Sequence, residues 1–205
     1  MTQDFQLDVS PEEEAQNVQH CVANYQGSIV LVDRADRRHV AGSFQAHLID
    51  VRRGQEYGFE PVELLQTLPR LANIEAALYD PQSSLHEAVH DSLDCPGRPA
   101  NVLLIEHVAL LPKYRGVGLG LRVVRGLIQQ LGAGADFVAL DATPLQYDQL
   151  DEPVPDQFRI DALPGSPLAA SKKLTAHFSK LGFVRVAHTS VLVRSMHRGT
   201  PPWPI

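Results

Sequence analysis

Apolar residues recur with two different periods along this chain, and the change from one to the other marks out its elements. Between Leu119 and Leu131 they fall three and four apart in LGLRVVRGLIQQL, which predicts an amphipathic helix closed by Gly132 and Gly134. The preceding residues 101–111, NVLLIEHVALL, are nearly all apolar and predict a strand; DFVALDA at 136–142 predicts another, buried one. SIVLVD (28–33) and HVAGSFQAHLIDV (39–51) read as a hairpin across the polar turn RADRR. Residues 61–79 have mainly helical spacing, which Pro69 should break or kink, and DPQSSLHEAVHDSLDCPGRP holds a short helix ended by proline and glycine. A last helix over 169–181 and a last strand, FVRVAHTSVLVRS, precede a proline-rich tail. At the other end, Ser10-Pro11-Glu12-Glu13 supplies a cap, a first-turn proline and early acids, predicting a helix over 10–24. Strand, helix, strand, helix, strand in the second half imply a mixed sheet with helices on its faces.

Length and charge narrow this picture. A chain of 205 residues fits one domain, 1–205, with a sizeable core. No apolar run reaches the roughly 18–20 residues of a membrane span. The start, MTQDFQLDVSPEEEAQ, is acidic and without an apolar centre, so a cytoplasmic protein is expected. Cys21 and Cys95 form no C-x-x-C pair and are read as free thiols. A net charge of −6 argues against a nucleic-acid surface, since phosphate binding rests on clustered Lys and Arg. Residues 144–168 form a long, proline-rich loop in which Asp148, Asp151, Glu152, Asp156 and Asp161 face one base, Arg159. Such a loop either attracts a cation or is simply solvated.

The chemistry concentrates where the strand gives way to the helix. Arg115, Gly116, Gly118 and Gly120 sit at this junction, where glycines let a backbone approach a ligand and helix N–H groups favour an anion. A dinucleotide fingerprint fails, because its third glycine falls on Val123 counting from Gly118 and on Leu121 counting from Gly116. A triphosphate loop fails too, since Leu121-Arg122 stand where G-K-[ST] requires Lys and Ser or Thr. A competing motif, HEAVH, puts His86 and His90 one helical turn apart with Glu87 between them, as in zinc hydrolases. Its continuation lacks the expected glycine, Pro96-Gly97 cut the helix short, and Ser84 with Glu87 reads as a capping box. A surface helix without metal is therefore expected there.

The segment VALLPKYRGVGLGLRVVRGLI resembles the acetyl-CoA-binding segment of the GNAT superfamily of N-acetyltransferases, with Pro112, Tyr114, Arg115, Gly116, Gly118 and Gly120 matching. ASKKLTAHFSKLGFVRV is similar to that family's late helix and its ending, here Lys180-Leu181-Gly182-Phe183, so the likeness covers about residues 100–195. The resemblance implies a mixed, largely antiparallel central sheet flanked by helices on both faces, with splayed central strands. It implies that the backbone of Arg115, Gly116, Val117, Gly118, Leu119 and Gly120 cradles the coenzyme A pyrophosphate. It further implies that the strand near Val108 and Leu110 pairs with the pantetheine arm, and that Ser171 stands where an asparagine often touches it. Acetyl-CoA would be the co-substrate, its acetyl group passing directly to a primary amine of a small molecule or peptide. A homodimer is within the family's range, though no residue here demonstrates one.

Transfer to an amine needs a base for the ammonium proton. Strand alternation sets Leu104, Glu106, Val108 and Leu110 on one face and Ile105, His107 and Ala109 on the other. Glu106 is then a lone carboxylate among apolar neighbours, whose pKa burial should raise, and it is the candidate base. Asp141 ends the next strand, where a turn role is equally open. Phe178 stands where many members have a tyrosine to protonate the thiolate; Ser179 and His177 beside it are turned about 100° per residue and do not simply replace it. An acyl-CoA-binding domain without turnover is the alternative from another class.

Overall fold

A computed structural model describes residues 5–11, 18–68, 71–93, 99–147, 156–159 and 165–199. Among these residues seven strands form one sheet, in the order β1-β2-β3-β4-β5-β7-β6. β1 (Phe5–Pro11), β2 (Val22–Val32), β3 (Arg38–Ile49) and β4 (Val102–Leu110) are antiparallel neighbours. β5 (Phe137–Asp141) runs parallel to β4, then antiparallel to β7 (Val191–Ser195), which also pairs with β6 (Val184–Arg185). A parallel pair demands a crossover, and α5 (Leu119–Leu131) supplies it. Four short helices, α1 (Val51–Glu56), α2 (Pro61–Gln66), α3 (Ala72–Leu78) and α4 (Glu87–Leu93), fill the β3–β4 connection, and α6 (Pro167–Phe178) leads from β5 to β6.

The central strands are apolar on both sides because both sides are covered. On one face Ile49, Val102, Leu104, Phe137 and Val191 pack beneath Leu64, Leu65, Ile74, Leu78, Val89 and Leu93 of α2–α4. On the other, Phe44, Leu103, Ile105, Val138 and Leu140 meet Leu119, Val123, Val124, Leu127 and Ile128 of α5. At about 1.5–3 kcal/mol for each fully buried aliphatic side chain, this stripe of α5 holds the helix start in place beside β4. The starts of β4 and β5 are tied by a polar cluster: Asp136 accepts from Arg52 at 2.6 Å and from the Asn101 N–H at 2.7 Å.

Helices on both faces of a mixed, largely antiparallel sheet agree with expectation, as do the α5 and β4 boundaries. Other elements differ. The helix expected over 10–24 is instead the end of β1, a 3₁₀ turn at Val18–Cys21 and the start of β2; residues 12–17 lie outside the described ones. The ladder of β1 on β2 outweighs the local capping signal. Val51, read as strand, opens α1, capped by the Asp50 side chain. The last strand is a hairpin, β6 and β7, turned through His188 at φ 61° with Thr189 N–H donating to Val186. Cys21 is buried, which raises its thiol pKa; Cys95 lies outside the described residues.

Candidate active site at the β4–α5 junction

The ladder between β3 and β4 slips by one residue in the middle. Gln45 stands opposite His107 and Ala46 opposite Ile105, so Glu106 is the extra residue of a β-bulge. Because side chains alternate with a period of two, one extra residue exchanges the faces of everything beyond it. Val102 and Leu104 accordingly pack on the α1–α4 side, whereas Val108 and Leu110 pack on the α5 side. The single face expected for Leu104, Glu106, Val108 and Leu110 is thus broken at Glu106. His107, expected on the opposite face from Glu106, has its Nδ1 4.0 Å from Glu106 Oε1, and that nitrogen is buried without a hydrogen-bond partner.

Glu106 is not the lone carboxylate that alternation suggested. Its Oε2 lies 2.7 Å from His47 Nε2, and His47 Nδ1 lies 2.7 Å from Asn24 Oδ1. The His47 and Glu106 side chains are only 2% and 7% exposed. A carboxylate so placed would be costly without a partner, and the imidazole one strand away supplies it. Asn24 on β2, His47 on β3 and Glu106 on β4 form a polar chain across three strands. Neither Asn24 nor His47 was singled out from sequence; 59 residues separate His47 from Glu106, and only strand pairing joins them.

Beyond the bulge, β4 outruns its other neighbour. Its ladder with β5 covers Val102–Ile105 only, while Val108, Ala109 and Leu110 are paired with β3 alone. A 3₁₀ turn, Pro112–Tyr114, then leads to Arg115 in extended conformation. Gly116 and Gly118 both take φ 78°, a left-handed value disfavoured for other residues by about 1–2 kcal/mol. A Cβ on either would meet nothing within 4 Å, so the turn faces open space, and Val117 between them is 72% exposed. Gly118 caps α5 without a side-chain hydrogen bond, leaving the first N–H groups of the helix to an outside acceptor. Leu119 is buried, and Gly120 packs near Leu110 and His177 of α6.

Arg115 is committed elsewhere than the expected cradle. Its N–H donates to Pro112 O at 3.2 Å, its Nε to Leu110 O at 2.8 Å, and its Nη2 to Phe158 O. It thereby staples the buried Phe158, within the long acidic segment, to the end of β4. Of that segment Asp156 and Arg159 are exposed, while Asp148, Asp151, Glu152 and Asp161 lie outside the described residues.

The other candidates have modest roles. Asp141 accepts from the Thr143 N–H and hydroxyl, both at 2.8 Å, in the turn after β5. Ser171 lies half-buried in α6. Phe178 packs edge-on to Phe183 and His177. Burial, then Lys180 and Lys173, hold the His177 pKa below its ordinary value, favouring a neutral ring. At HEAVH, helix α4 begins only at Glu87, so Ser84 is not its cap; the Ser84 N–H donates to Asp80 instead. Among the described residues no three His, Cys, Asp or Glu side chains converge as metal ligands. No helix there is long and apolar enough to cross a membrane.

No protein-family model and no curated protein matches the chain. Among solved structures it is similar to a crystal structure of a tyrosine-to-phenylalanine mutant of KacT, at 14% identity and a TM-score of 0.43. That likeness covers 86% of this chain and 72% of the other.

Proposed function

We propose that this protein is an acetyl-CoA-dependent N-acetyltransferase that acylates an amine of a small molecule or peptide. One observation carries the reading: two left-handed glycines aim the uncapped start of α5 into open space directly beyond a strand whose far half lacks its second neighbour. An anion fits the helix start, and an extended ligand arm fits beside the strand. In this reading the N–H groups of Gly116 to Gly120 hold the pyrophosphate, and Arg115 holds the turn. The backbone of Val108 and Leu110 lies along the pantetheine arm, with Ser171 on the neighbouring helix. Bound acetyl-CoA would supply a thioester; Glu106 takes the proton that an ammonium must shed before its nitrogen can attack.

Phe178 favours a second reading, an acyl-CoA-binding domain without turnover, because its ring offers no proton to a departing thiolate. Thermal melts test the binding that both readings share, and thiol release separates them. A ligand at about 100 times its dissociation constant adds about 2.7 kcal/mol, or roughly 5–11 °C for a chain of this size. Acetyl-CoA should produce that rise, and Gly118→Asp, which sets a carboxylate against the helix start, should abolish it. No rise with the unaltered chain refutes the cradle. A rise without thiol release over a panel of amines establishes binding without transfer.

A further inference from the structure

We infer that His47, held by Asn24, is the positioning residue of Glu106, so that the base of the transfer proposed above is a three-strand unit and not a single carboxylate. The inference rests on that acetyltransferase reading. Both ring nitrogens of His47 lie 2.7 Å from a partner, Asn24 Oδ1 on one side and Glu106 Oε2 on the other. Turning the imidazole breaks both contacts together. Each partner stands on a different strand, and the ladders of β2 with β3 and of β3 with β4 fix their spacing. The bulge at Glu106 adds the last constraint, because it departs from the regular alternation where the carboxylate meets the ring.

The chain of contacts also sets where protons sit. With Asn24 presenting its oxygen, Nδ1 of His47 is the donor on that side, and Nε2 faces the carboxylate. That arrangement ties one carboxylate oxygen to a ring that cannot rotate, so an amine meets Glu106 in one orientation. Fixing a reacting group in this way lowers the entropic part of the barrier without adding binding affinity for either substrate. The consequence is a loss in turnover, not in KM, when the positioning residue is removed.

The test uses the full chain, acetyl-CoA and a panel of simple amines. His47→Leu should lower kcat about 10–100-fold, the range for removing an outer partner that orients a functional group, with acetyl-CoA affinity and amine KM within about twofold. His47→Gln, which keeps an amide near the Nε2 position, should recover most of the loss. Asn24 is exposed, so Asn24→Ala guards against a misfolded His47 variant. In ¹⁵N spectra of the imidazoles, His47 Nδ1 should be protonated in the unaltered chain, and both ring signals should move in Asn24→Ala and in Glu106→Gln. Wild-type kcat in His47→Leu, or ring signals indifferent to both neighbours, overturns the inference while the functional reading stands. Absence of transfer by the unaltered chain removes the reading, and the inference with it.

Discussion

Arg115→Ala separates two roles for the arginine of the glycine turn, a ligand for anions and a clamp on the chain. The structure supports the clamp. Its guanidinium donates to Leu110 O and to Phe158 O, and burial lowers its pKa below the ordinary value. Hydrogen bonds from a charged donor contribute about 1.5–3 kcal/mol each, and water at this half-exposed site replaces part of both, leaving about 2–4 kcal/mol. For a chain of this length each kcal/mol moves Tm by about 2–4 °C, so the ligand-free protein should melt about 4–16 °C lower. Calorimetry without any ligand reads this directly, and limited proteolysis should show faster cleavage near residues 156–159. Arg115→Lys should recover only part, since a single ammonium cannot span two diverging carbonyls. An unchanged melt of the free protein, together with weakened acetyl-CoA binding, would refute the clamp.

Two further outcomes follow from close packing and from burial. A Cβ on Gly42 would lie 2.2 Å from the Ala109 carbonyl oxygen, so Gly42→Ala should force β3 and β4 apart and cost about 1–3 kcal/mol; an unchanged urea midpoint would show the backbones are not so close. The lowered His177 pKa means that the unfolded chain binds a proton more readily than the folded one, so His177 weakens the fold as pH falls below about 6.5 and has no such effect above it. His177→Gln should flatten the fall of Tm between pH 7 and pH 5.5, and parallel slopes for the two proteins would sink the assignment.

What the sequence discloses here is whatever a few consecutive residues decide. The apolar stripe of α5, the nearly all-apolar β4 and the glycines between them are local patterns, and the structure places them where those patterns said. Ser10-Pro11-Glu12-Glu13 is equally local and misleads, because pairing of Phe5–Pro11 with β2 is a matter of residues some twenty positions on. Ser84 misleads in the same way: an aspartate turn four residues long claims it before the helix can. The chemistry of Glu106 needed still longer reach. Nothing beside it announces a bulge, which exists only as a mismatch of register with Gln45 and Ala46, and nothing announces His47 as its partner. Arg115 shows that a motif can locate a residue correctly and leave its bonds unread.

The slip in β4 makes chain length there as consequential as composition. Substitutions between Val102 and Leu110 change a side chain at a fixed phase; none of them moves it to the other side of the sheet. Loss of Glu106 alone would remove the slip and join Ile105 to His107 in regular alternation, with Val108 and Leu110 still against α5, whereas loss of a residue to one side reverses every face between the gap and the bulge. Single-residue deletions along this strand should therefore fall into two groups separated by the register they leave behind, and a deletion scan would read the phase of the strand without any assay of chemistry.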